Sequence, residues 1–183
     1  MQMIAASKMT RAQNMVRAGR PYADRIRDVL GDLAALAAKE DDESSVDLLK
    51  IRPVQKTLLV LITPDRGLAG ALVGNLQRAA GSFIGETEGK GSVMVVGRKG
   101  ERFITRIGED LKAAFSVPDR PRLDDTVAIS RMLIDEYASE RVDRVVLIYA
   151  RFVNTAVQRV TVRQLLPVEP PGRAEGETAK LQQ

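Results

Sequence analysis

The sequence contains no cysteine, no histidine and no tryptophan, and only 4% of its residues are aromatic. Without cysteine there is neither a disulfide framework nor a thiolate metal site. Without histidine the commonest general base and the commonest metal ligand are both missing, so no hydrolytic triad and no metal site is expected. Long apolar runs are missing as well: a run such as residues 58–62 (LLVLI) is far too short to cross a bilayer. The early apolar residues are spaced as a stripe and never form a block, which argues against a signal peptide. The chain therefore reads as a soluble protein or a soluble part of an assembly, without direct membrane insertion. Its net charge is modest, 28 Lys and Arg against 24 Asp and Glu in 183 residues.

What is present begins with a heptad pattern over residues 1–38. Ala5, Ala12, Gly19, Ile26 and Leu33 form one row, and Met9, Val16, Ala23, Leu30 and Ala37 form the companion row. Apolar rows at this spacing make the seam of a coiled coil, on a helix roughly 55 Å long at about 1.5 Å per residue. The seam is small in its first half and larger in its second. A third row, Met1, Met15, Tyr22, Val29 and Leu36, widens the face and predicts contacts on more than one side. The pattern is already running at residue 1 with no capping residue ahead of it. Pro21 removes one backbone bond, so a kink or local loosening is expected beside Gly19 and Arg20. Up to Ala23 the helix carries Lys8, Arg11, Arg17 and Arg20 and no acidic residue. Such a face could track phosphates or an anionic membrane, but no aromatic interleaving or second basic element supports nucleic acid. Contact with acidic protein surfaces fits best beside a seam built for a helical partner.

After a charged loop (residues 39–45, KEDDESS) and a short connector to Pro53, the remainder alternates strands and helices. Strands are expected at 56–63, 92–96, 112–117, 144–152 and 156–166, and helices at 71–84, 101–107 and 123–139. The first two carry unbroken apolar runs, residues 58–62 and 93–96, as in buried parallel sheets. The last alternates Val157, Val160 and Val162 with polar residues, as a half-exposed strand antiparallel to its predecessor does. This predicts an α/β domain over residues 57–168, with a mostly parallel, doubly wound, Rossmann-like sheet and one antiparallel edge. A linker over 39–56 precedes it. From Pro167 the chain is Pro-, Gly- and charge-rich, and a flexible tail is expected over 169–183.

Candidate chemistry is sparse. The turn Asp65-Arg66-Gly67-Leu68-Ala69-Gly70 follows a buried strand and opens a helix, where α/β folds commonly bind phosphate. It lacks the signature of a P-loop or a dinucleotide fingerprint, and Pro64 removes an amide donor. A tight structural turn, with Gly67 and Gly70 supplying unusual dihedrals or close packing, is the competing reading. Gly97-Arg98-Lys99-Gly100 could hold an anion at a helix start. Asp124 and Asp125 read as favourable charges at the positive end of a helix dipole. The methionines at 1, 3, 9 and 15 read as adaptable packing surface. No nucleophile, base and oxyanion site assemble, so an interaction or mechanical protein is expected, with a nucleotide- or phosphate-binding enzyme using the 65–70 turn as the alternative. No cofactor is expected.

Four stretches together resemble the gamma subunit of F-type ATP synthase: Met3-Ile4-Ala5-Ala6-Ser7-Lys8-Met9, Ile62 through Gly70, Val95-Val96-Gly97-Arg98-Lys99-Gly100, and Phe152-Val153-Asn154-Thr155 through Gln158 to Pro167. They occur in the family's order and roughly its spacing. The resemblance implies a non-catalytic central stalk whose N- and C-terminal helices wind together inside a ring of alpha and beta subunits. A Rossmann-like domain would sit below, near epsilon and the membrane c-ring. It would lie at the cytoplasmic face of a bacterial plasma membrane and couple proton-driven rotation to ATP synthesis. On this sequence the implied subunit-interface residues are Met3, Ile4, Ala5, Lys8, Met9, Arg11, Ala12, Val16 and Arg17, and the family-motif turn is Asp65, Arg66, Gly67 and Gly70. The family carries further chain before Met1 and a long helix after the α/β domain, so a truncated chain is expected. The turn departs from the family where Pro64 stands in place of a common Ser.

Overall fold

The computed structural model describes residues 2–37, 47–67, 69–87, 89–118 and 121–168. The expected charged loop at 39–45 and the expected tail at 169–183 lie outside the described residues.

The leading stripe forms one helix, α1 (Gln2–Ala37), and the helix assignment runs unbroken through Pro21. A 3₁₀ turn (Asp47–Leu49) then leads to β1 (Lys56–Ile62), α2 (Leu72–Glu86), β2 (Lys90–Val96), α3 (Arg98–Ile107), β3 (Leu111–Phe115), α4 (Leu123–Ala138), β4 (Arg144–Phe152) and β5 (Gln158–Leu166). The strands form one sheet in the order β3-β2-β1-β4-β5. All neighbours are parallel except β4 and β5, which are antiparallel. Parallel strands need helical crossovers, and these cover both faces.

The period of two along β1 sorts its residues between two cores. Leu58 and Val60 join Met94, Leu133, Tyr137 and Val145 under α4. Leu59 and Leu61 join Leu76, Ala80, Val95 and Ile104 under α2 and α3. A strand buried on both faces cannot alternate with polar residues, which is why 58–61 is wholly apolar.

Several boundaries differ from the sequence reading, each for a nameable structural reason. α3 starts at Arg98, three residues before the expected start, because Gly97 takes a φ of 107° and turns the chain directly into the helix. β2 starts at Lys90, whose N–H donates to the Gln55 carbonyl (3.2 Å) just ahead of β1. β5 starts at Gln158, because the side chain of Asn154 accepts from the N–H groups of Ala156 and Val157 (both 2.9 Å) and holds them in the turn. Pro167 is buried, and the Val168 N–H donates to the Leu48 carbonyl (3.4 Å), which ties the residues after β5 to the connector before β1. That last bond joins the place where the chain enters the domain to the place where it leaves.

Candidate functional site: the unpartnered face of the leading helix

α1 barely touches the body that follows it. Gln13, Arg20 and Ala35 are half-buried and Gly31 is buried; at about 100° per residue they fall within about 60° of one another, a narrow stripe. The heptad seam lies about a third of a turn away. Along it Met9 (48% exposed), Val16, Ile26, Leu30 and Leu33 (49%) stand open, as do Met15, Tyr22, Val29 and Leu36 beside it. Nine large apolar side chains on one helix face form a patch of the kind that a partner covers. Among the described residues, that apolar face is left open by the chain's own body.

The predicted interface residues all fall on α1, between Gln2 and Ala37. Lys8, Met9, Arg11, Ala12, Val16 and Arg17 are exposed. Met3, Ile4 and Ala5 lie in the helical backbone, with side chains outside the described ones.

The turn at 65–70 does different work from phosphate binding. The Asp65 carboxylate accepts the first N–H of α3, that of Arg98 (2.7 Å), and the Ser116 hydroxyl (3.2 Å). The positive end of the α3 dipole is thereby met by a carboxylate of the chain itself, and an incoming phosphate would face that negative charge. The anion expected between Gly97 and Gly100 is thus supplied internally. Thr63 completes the junction: its hydroxyl donates to the Gly97 carbonyl (3.2 Å) and accepts from the Gly100 N–H (2.8 Å). A Cβ on Gly97 would lie 2.1 Å from the Thr63 carbonyl oxygen, and one on Gly100 would lie 2.7 Å from Val95 Cγ1. Gly70 has the positive φ (56°) expected of the turn. Gly67 has no positive φ, and a Cβ added to it would meet nothing within 4 Å. Arg66 belongs to the same turn. A cavity under the carboxyl end of α2, lined by Thr57, Phe83, Gly91 and Val93, sits at the opposite end of β1.

Asp125 accepts the Arg122 N–H (2.6 Å) at the start of α4, a capping contact at the helix end where the sequence reading placed only a favourable charge. Among the described residues no group of carboxylates could hold a metal ion, and no helix is long and apolar enough to cross a membrane.

Two buried polar assemblies were not visible in the sequence. Glu136, 5% exposed, receives Lys112 from β3 and the Arg141 Nε–H (3.0 Å). Burial pushes its carboxyl upward, but the hydrogen bonds and charges of Lys112 and Arg141 outweigh burial and leave it below its ordinary value. Arg52 lies over the Tyr137 ring (4.5 Å) and donates to the Tyr137 carbonyl (2.8 Å), while the Tyr137 hydroxyl donates to the Lys50 carbonyl (2.6 Å). These bonds pin the connector before β1 onto α4. Their partners are 24 and 85 residues apart, beyond any local pattern.

Comparison with known proteins gives one consistent answer. A family model described as ATP synthase matches residues 1–183. The ATP synthase gamma chain of Dehalococcoides mccartyi is 46% identical over 171 residues, covering 93% of this chain and 59% of that one. That of a Roseiflexus species is 44% identical over 176 residues, covering 93% and 60%. The chain thus spans about three fifths of these relatives' length. Among solved structures, the central stalk and c-ring of Tetrahymena thermophila mitochondrial ATP synthase matches with a TM-score of 0.72 and 26% identity, over 90% of this chain and 70% of that chain. The rotor of the Euglena gracilis mitochondrial enzyme shares the fold, with a TM-score of 0.56 at 20% identity, over 90% and 57%.

Proposed function

This chain belongs to the ATP synthase gamma-chain family, and from that premise we propose that it is a non-catalytic rotor subunit, the central stalk of an F-type ATP synthase. It couples rotation of a c-ring to ATP synthesis or hydrolysis at the beta subunits. The observation that carries this reading is the open seam of α1. Its apolar rows repeat every seven residues, and among the described residues Met9, Val16, Ile26, Leu30 and Leu33 on those rows stand exposed. A shaft that pairs with a second helix and turns inside a ring requires such a face. The bond between Val168 and Leu48 adds support. Chain continuing past residue 168 leaves beside the point where chain from α1 arrives, which suits a return helix.

Residues 1–38 are the shaft and residues 57–168 the body on which it stands. Alpha and beta subunits surround the shaft, with Lys8, Arg11 and Arg17 directed at acidic or polar loops of the ring. Met3, Ile4, Ala5, Met9, Ala12 and Val16 contribute to the helix–helix and helix–ring contacts. Epsilon and the c-ring meet the α/β body, at the cytoplasmic face of a bacterial plasma membrane. Nucleic acid has no place in this reading. The test is reconstitution with alpha and beta subunits. The proposal expects a stable complex with ATPase activity that contains this chain; active complexes that exclude it would overturn the proposal.

A further inference from the structure

The hairpin of β4 and β5 is longer than the sheet beneath it. β1 pairs with β4 only as far as Ile148, whereas β5 pairs with β4 out to Phe152. Residues 149–152 and 158–161 therefore form a two-stranded ribbon, which projects about 13 Å past the sheet at about 3.3 Å per residue. Its tip is tied together by side-chain hydrogen bonds. The Asn154 side chain accepts from Ala156 and Val157, and the Gln158 amide donates back to the carbonyls of Asn154 (3.2 Å) and Thr155 (3.1 Å).

The ribbon reaches α1. The Arg20 guanidinium donates through Nη2 to the Phe152 carbonyl, 132 residues away in the chain. Arg20 is half-buried, while every neighbour from Asn14 to Asp28 is exposed. The contact falls at the weakest point of the helix. Pro21 has no N–H to give to the carbonyl four residues back and disfavours helical backbone at Arg20. Gly19 adds backbone freedom, and no packing atom lies near it. Without an external tie, a helix of this composition would bend or twist there, and the half before residue 19 would move independently of the half after it.

We propose that Arg20 is a positioning residue that clamps this weak midpoint to the hairpin tip, so that both halves of α1 hold one angle relative to the α/β body. The clamp rests on the contact itself. Its use as a stiffener of a turning shaft rests on the rotor reading. Asn154 and Gln158 act through the same contact, because they fix the tip that offers the Phe152 carbonyl. Pro21 is the element that makes the clamp necessary.

The full chain has no cysteine, so nitroxide labels can be placed at Asn14→Cys on α1 and Thr105→Cys on α3, both exposed. Pulsed electron spin resonance on dilute monomer then reads the distance distribution between them. The unsubstituted clamp gives one narrow distribution. Arg20→Ala broadens it at least about twofold, Asn154→Ala does the same, and the double variant is no broader than either alone. Arg20→Lys, which keeps one donor, recovers part of the narrowing. Arg20→Ala with Pro21→Ala recovers it as well, because the missing backbone bond returns. An unchanged distribution in Arg20→Ala overturns the clamp, as does failure of Pro21→Ala to compensate. These measurements need no partner subunit, so they fail or succeed independently of the rotor reading. In reconstituted complexes, Arg20→Ala should widen the angular fluctuations of a bead on the α/β body during pauses without slowing unloaded turnover. Unchanged fluctuations would remove the stiffening role and leave the rotor reading intact.

Discussion

At the scale of single residues, Glu136 is the most consequential charge in the body. Ionised, it binds Lys112 and Arg141. Its folded value is depressed below the ordinary value near 4.5, so its contribution to stability is present above that value and is lost as pH falls through the folded one. Glu136→Gln should cost about 2 kcal/mol near neutral pH, less than a fully enclosed pair because Lys112 and Arg141 reach solvent. The gap from the parent chain should narrow as the pH falls below 4.5, as urea midpoints at several pH values would reveal. Glycines in the two signature turns should separate cleanly. Gly97→Ala forces a Cβ onto the Thr63 carbonyl at a φ of 107°, a cost on the order of 3 kcal/mol or more. Gly67→Ala meets nothing, so its effect should stay within about 0.5 kcal/mol. Equal losses in thermal melts of the two variants would contradict this account of the turns. Both turns were legible in the sequence, but which glycine each one needs was not. Gly97 is held by Thr63 across a strand pair, a contact that no local spacing encodes.

At the scale of elements, the five strands and four long helices were legible because their periods are strong: wholly apolar runs for β1 and β2, alternation for β5, seven-residue repeats for α1. Their ends were not legible where a distant partner sets them. Lys90 joins β2 because Gln55 lies opposite, and residues 156–157 leave β5 because Asn154 holds them. Nor did Pro21 break α1, although it removes a bond. Among the described side chains of residues 6–19 all but Gln13 are exposed, so the helical hydrogen bonds there have little to protect them. Amides of residues 6–19 in a dilute monomer should exchange at least about a thousandfold faster than those of Leu58–Leu61 in β1. Comparable protection would mean that this half is stable alone. At higher concentration the open seam should drive self-association, and Ile26→Glu with Leu30→Glu should abolish it in sedimentation experiments.

At the scale of the whole molecule, the described residues make an α/β body and a leading helix whose apolar face stands open. That division of labour was readable from composition and period alone: residues that do chemistry are scarce, and residues that pack are arranged for something outside. The partner's identity was not readable that way, since an open seam specifies a helix but not which one. Charge reversal of Lys8, Arg11 and Arg17 together should lower the coupling between rotation and hydrolysis in reconstituted complexes, with little effect on melting of the body. Unchanged coupling would place these three residues away from the ring.

As the proposed rotor, this chain must turn. The direct measurement fixes a reconstituted complex through its beta subunits, attaches a bead to Thr105→Cys on the α/β body, and follows it as ATP is supplied. A rotor gives sustained rotation in one direction at a rate set by ATP concentration. A stationary bead on complexes that hydrolyse ATP would contradict it.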